Sequence, residues 1–116
     1  MKLYSWEGIP PEALNENLWR KVIHGSKMTL AQIHFDKGAA VPSHHHENEQ
    51  FSLVVSGAVR FELEGKEVVP KPGEIIHIPP NVPHRVVALE ESIVMDIFSP
   101  IRQDWIDGTD DYFRKK

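Results

Sequence analysis

Residues 38–57 read GAAVPSHHHENEQFSLVVSG, and this stretch decides the fold. It holds three adjacent histidines out of the seven in the chain, which makes the run a local concentration rather than background. On a strand, residues two apart share a face. His44 and His46 can therefore reach one point, while His45 faces the other way. After a short turn the next run alternates. Gln50, Ser52 and Val54 fall on one side, and Phe51, Leu53 and Val55 on the other. Period two with β-branched residues marks a half-buried strand. Antiparallel pairing would bring Gln50 back beside the two histidines. Read alone, HxH also fits an exposed polar loop. A tag remnant is disfavoured because the run is internal and only three long.

The same punctuation extends outward on both sides. Apolar runs near 18–24, 28–35, 58–64, 67–69, 74–78, 84–89 and 93–98 are separated by Gly, Pro or Asn. Ser56-Gly57 and Glu64-Gly65 are hairpin-turn signals, and Pro72-Gly73 and Pro79-Pro80-Asn81 mark further turns. Many short strands with frequent turns predict an all-β sandwich or barrel. Residues 1–17 form an irregular lead-in with a turn of helix expected at Glu12–Asn15, because Pro10-Pro11 cannot sit inside a helix or central strand. Residues 102–116 are charged yet carry Trp105, Ile106, Tyr112 and Phe113, which predicts a docked cap or a subunit contact.

The chain's 116 residues fit one domain, spanning 1–116, with a barrel core of about 18–100 and a C-terminal extension over 101–116. The absence of cysteine excludes disulfides, thiolate zinc sites and thiol catalysis. A net charge of −4 argues against nucleic acid as a partner. There is no apolar run of membrane length and no signal-like start, so the expected setting is soluble and cytoplasmic, without a membrane partner.

His84 follows PPNVP at the start of another predicted strand. Three histidines and one side-chain oxygen converging in a small barrel make a mixed N/O site for a divalent transition metal. The spacing then resembles the two motifs of the cupin superfamily. Gly38, His44, His46, Gln50 and Gly57 match the first, and Gly73, Pro79, Asn81 and His84 the second. Two positions depart from the pattern: Gln50 stands where the motif has Glu, and Ala88 where it has Asn. The resemblance implies a single-domain cupin, a double-stranded β-helix or jelly-roll barrel. It implies metal ligands His44, His46, Gln50 and His84. Zn, Ni, Fe, Mn and Co all suit such ligands to different degrees. A neutral amide in place of a carboxylate leaves more of the metal's charge uncompensated. That favours Lewis-acid chemistry over stabilising a higher oxidation state.

Residues 93–105, IVMDIFSPIRQDW, narrow the likeness. With HxHx3Q, PPNVPH, WRKVI and HFDKGA they resemble the KdgF-type pectin-degradation cupins, which linearise unsaturated uronic acids. The likeness runs over residues 18–105, and 106–116 fall outside it. It implies conversion of a 4,5-unsaturated monouronate to a linear, ketonised sugar acid. Asp96 would move the proton, Arg102 would anchor the substrate carboxylate at the barrel mouth, and Phe98 would shape the pocket. It also implies a homodimer. From the residues alone, Asp96 alternates with Val94 and Phe98, so a carboxylate would lie inside an apolar barrel, where it needs a partner or a job. Pairing with Arg85 or Arg102 is the structural alternative. Two other functions stay open: a non-catalytic sugar-acid sensor, which would need Arg102 but no cavity carboxylate, and a metal-dependent oxygenase. His34 could also face the cavity.

Overall fold

The computed structural model describes residues 1–114. Ten strands run in chain order: β1 (Glu12–Asn15), β2 (Leu18–His24), β3 (Thr29–Phe35), β4 (Ala40–His44), β5 (Glu49–Ser56), β6 (Val59–Leu63), β7 (Lys66–Val68), β8 (Ile75–Ile78), β9 (His84–Ala88) and β10 (Ser92–Ser99). A short helix, α1 (Gln103–Asp107), and a 3-10 turn at Asp111–Arg114 follow. The strands form a six-stranded sheet ordered β1-β2-β3-β10-β5-β8 and a four-stranded sheet ordered β4-β9-β6-β7. All pairs are antiparallel.

Alternation explains how the two sheets close on each other. Inward positions are apolar on both: Leu18, Ile33, Phe35, Val54, Val94 and Phe98 from the larger sheet, Val41, Val59, Phe61 and Val86 from the smaller. Burying each contributes about 1.5–3 kcal/mol. The expected all-β jelly roll is present, and nearly every predicted strand lies within a residue or two of its expected place.

Two local expectations are corrected. Glu12–Asn15 is a strand, not a helical turn: it pairs with β2, with Glu12 opposite Arg20. Ser56-Gly57 does not close a hairpin. It carries the chain from one sheet to the other, since β5 pairs with β10 and β8 while β6 pairs with β7 and β9. Gly57 has φ 86°, and a Cβ there would lie 2.2 Å from the Ser92 hydroxyl, so only glycine fits this crossing. Glu64-Gly65 is a true hairpin turn, with both residues at positive φ as a type I′ turn requires. Asn81, in a slot where the motif has glycine, takes φ 62°, a conformation Asn tolerates.

Candidate metal centre

His44 ends β4 and His84 begins β9, and the two stand directly opposite in the four-stranded sheet. His46 lies just past the end of β4 rather than on it. One ligand atom from each of the three histidines falls within 4.8 Å of the others. His45, as expected, is exposed.

The backbone fixes which nitrogen each ring offers. His44 Nδ1 lies 2.8 Å from the Pro42 carbonyl, His46 Nδ1 3.0 Å from that of Asn48, and His84 Nδ1 2.8 Å from that of Val82. A carbonyl oxygen only accepts, so each Nδ1 carries the proton and each Nε2 presents a lone pair. Burial is the main reason these rings stay neutral. It pushes His44 down to about 3, with the nearby His84 adding to the effect. It pushes His46 down to about 4, with Arg102 adding. His84 is lowered by burial too. Neutral imidazoles are the form a metal binds.

Gln50 reaches this point differently from expectation. Its strand does not pair with β4; it belongs to the opposite sheet, so Gln50 crosses the barrel interior to meet the histidines. Its orientation is set by a polar chain. Ser52 Oγ donates to Asp96 Oδ1 at 2.5 Å, and Gln50 Nε2 donates to Ser52 Oγ at 2.9 Å. The Gln50 carbonyl oxygen is thereby turned to His46 Nε2, 3.0 Å away. Two lone pairs then face each other, an arrangement that a shared cation reconciles. Three imidazole nitrogens and one oxygen on a common locus fit a divalent transition metal by donor chemistry.

Asp96 lies on β10, opposite Ser52 on β5, and is 5% exposed. Burial raises its pKa to about 6, and the Ser52 hydrogen bond and the Arg102 charge hold it from rising further. Phe98, two residues on, faces the same way, and its ring meets His46 edge-on with centroids 5.7 Å apart. A small cavity is lined by His44, Gln50, His84, Asp96, Phe98 and Arg102.

Arg102 is brought to this cavity but is not at an open mouth. It is fully buried. Its Nε and Nη2 grip the two Asp104 oxygens at 2.9 and 2.8 Å, and its Cζ lies 4.6 Å from the Phe98 ring and 4.5 Å from that of Trp105. Burial alone would raise Asp104, but the Arg102 hydrogen bonds and charge bring it below its ordinary value. His34 is outside: it stacks on Trp19 with ring centroids 3.6 Å apart. Sequence reasoning gives no role to Ser52 or Asp104, and reads Tyr112 only as part of a docked cap or a subunit contact. The signal for Ser52 was present, since it shares the inward face with Gln50.

A buried three-histidine cluster between the sheets of a small jelly roll, on the two motif spacings, is a cupin arrangement. The cupin-domain family matches residues 31–98, more than half the chain, and the chain belongs to that family. Among solved structures it is similar to KdgF from Halomonas sp., with 32% identity and a TM-score of 0.85, covering 90% of this chain and 98% of that one. An RmlC-like cupin from Shewanella frigidimarina matches at 30% identity and TM-score 0.85, over 90% and 96% of the two chains. A 57-residue stretch, 47% of this chain, is 33% identical to the Bacillus subtilis HTH-type transcriptional regulator YobQ. The chain spans about a quarter of that regulator's length, 24%. Among the described residues no helix is long and apolar enough to cross a membrane.

Proposed function

We propose that this cupin converts 4,5-unsaturated monouronates to linear, ketonised sugar acids, a reaction whose central step is proton transfer beside a polarised oxygen. The observation that carries the reading is Asp96. It is an inward carboxylate with a pKa raised to about 6, tied through Ser52 and Gln50 to the three-histidine point. A general base works best when its pKa lies near the operating pH. A divalent metal held by His44, His46, Gln50 and His84 would supply Lewis acidity toward a substrate oxygen. Ser52 holds the carboxylate in place. Arg102 supplies the positive charge for the substrate carboxylate, and Phe98 walls the cavity below it. Likeness to KdgF over most of both chains supports the substrate class. The test is loss of ultraviolet absorbance when metal-loaded protein meets unsaturated galacturonate, guluronate or mannuronate monomers. Tight sugar-acid binding without turnover would instead make the chain a sensor.

Gln50→Glu should retain metal yet turn over more slowly. The new carboxylate offsets one unit of metal charge and weakens the Lewis acid. It also removes the amide donor to Ser52 and puts a second carboxylate near Asp96. Elemental analysis with steady-state kinetics checks this; an equal or faster variant would show that the amide does not tune the chemistry.

The outer face of the six-stranded sheet supports self-association. One cross-strand row runs Ile23, Leu30, Ile97, Phe51 and His77, and the next runs Lys21, Gln32, Met95, Leu53 and Ile75, so the apolar part lies mainly over β10, β5 and β8. Phe51 is 46%, Ile97 41% and Ile75 62% exposed, a contiguous patch of the kind that marks an interface. A flat sheet face suits a two-fold contact between identical copies. Light scattering should find a dimer for the wild type and a monomer for Phe51→Glu; a monomeric wild type would sink the assignment.

A further inference from the structure

The segment after α1 folds back over the cavity. Asp110 is fully buried, and Arg20 Nη1, also fully buried, holds it at 2.8 Å. Arg20 is itself sandwiched against Trp105, with Cζ 3.9 Å from the ring. From this anchor the chain crosses to the metal centre. The Tyr112 ring stacks on His44, centroids 4.1 Å apart and planes 11° from parallel. Its hydroxyl contacts Arg102 Nη2. Phe113 is buried beside it, and Asn15 Nδ2 donates to the Phe113 carbonyl at 3.4 Å.

The volume beneath this cover is about 20 Å³, room for roughly one water. Small-molecule pockets begin near about 300 Å³. Phe113 lines this volume and Tyr112 lies on His44 and Arg102 at its edge, so a sugar acid does not fit while residues 109–113 stay where they are. Arg102 is meanwhile not fully committed: its Nη1 is buried with no hydrogen-bond partner among the described residues. Two of its nitrogens hold Asp104, and the Tyr112 hydroxyl shares one of them. Asp104 thus orients the guanidinium, while Tyr112 covers the side where an anion would arrive.

The geometry points to Tyr112 as the residue that an incoming carboxylate displaces. Residues 109–113 form a lid anchored by the Asp110–Arg20 pair. A ligand carboxylate takes the unpartnered Arg102 Nη1 and the Nη2 that the Tyr112 hydroxyl contacts, and the Tyr112 ring leaves His44 as it does so. This rests on Arg102 as the anion anchor in the function proposed above. Tyr112 then sets both the size of ligand admitted and part of its affinity, since every ligand must first break the tyrosine's contacts.

The test uses the full, metal-loaded chain with two probes, D-galacturonate and acetate. Calorimetry gives affinity, and hydrogen exchange reads the peptide covering 109–113. Binding of either probe should speed exchange there several-fold. Tyr112→Ala should bind the probe about tenfold tighter. Tyr112→Phe, which keeps the ring stack and loses only the hydroxyl, should fall between and guards against misfolding of the alanine variant. If acetate binds and opens the lid while galacturonate does not bind even to Tyr112→Ala, the lid stands and the uronate reading fails. Binding that leaves exchange unchanged or slower, or equal affinity in all three proteins, overturns the lid. So does failure of both probes to bind any of them.

Discussion

His84→Ala is expected to leave the protein essentially metal-free, with affinity reduced by more than about 100-fold. Residues that merely orient metal ligands cost about 10–100-fold when removed, so deleting a ligand should exceed that range. His84 has the geometry of a ligand rather than of a filler. It is 2% exposed, its Nδ1–H donates to the Val82 carbonyl, and its ring meets those of His44 and His46 with centroids 4.2 and 5.1 Å away. The measurement is elemental analysis of untagged protein, followed by competition against a chromophoric chelator. His45→Ala, in the same run but exposed, and His34→Ala, stacked on Trp19 outside the barrel, should both keep full metal. Full occupancy in His84→Ala would exclude this ligand set. Acid should also release metal late. Protons compete with a metal for an imidazole at and below its pKa. With His44 pushed down to about 3 and His46 to about 4, occupancy should persist well below the ordinary histidine value of 6.5.

The strands were legible because alternation is a local code: each residue's neighbours two positions away report its face. The partner of a strand is not in that code. Nothing in 49–56 says that β5 joins β10 and β8 rather than the preceding strand. Alternation therefore brings Gln50 beside the histidines by the wrong route: it approaches from the opposite sheet. The lead-in failed for a related cause. Glu12–Asn15 has no period of its own, and becomes a strand by pairing along β2 and burying Leu14, with Glu12 bonded to Arg20 at 2.7 Å. The sequence places Arg102 at the barrel mouth. Its burial depends on Asp104, Trp105 and Tyr112, which lie past the barrel and form no motif. The aromatic content of that stretch did foretell a docked cap, and Trp105 and Phe113 are buried as such a cap requires. Lys115 and Lys116, also part of the extension, lie outside the described residues.

Asp96→Asn should lower kcat on an unsaturated monouronate by roughly 10²–10⁴ with little change in KM. Asparagine matches the shape, and its carbonyl can still accept from Ser52, so the pocket and the Gln50 orientation persist. Only the proton acceptor is lost. Metal content, measured in parallel, should stay at the wild-type level. An acidic limb of kcat/KM that belongs to this carboxyl should be present in the wild type and vanish in the variant. Stability of the metal-free protein should move the other way. The folded carboxyl keeps its proton to about pH 6, whereas the unfolded one releases it near 3.8. Between those values the folded state binds more protons, so stability falls as pH rises through the window, and above it the full cost remains. That cost is on the order of 3 kcal/mol. Asp96→Asn removes it, so at pH 8 the metal-free variant should melt above the wild type, and at pH 4 the gap should close. Retained kcat would make Asp96 structural. A lower melting temperature at pH 8 would mean that the charged carboxylate is well compensated by Ser52 and Arg102. Slower turnover together with a more stable metal-free fold is the signature of a carboxylate kept inside the barrel for its chemistry.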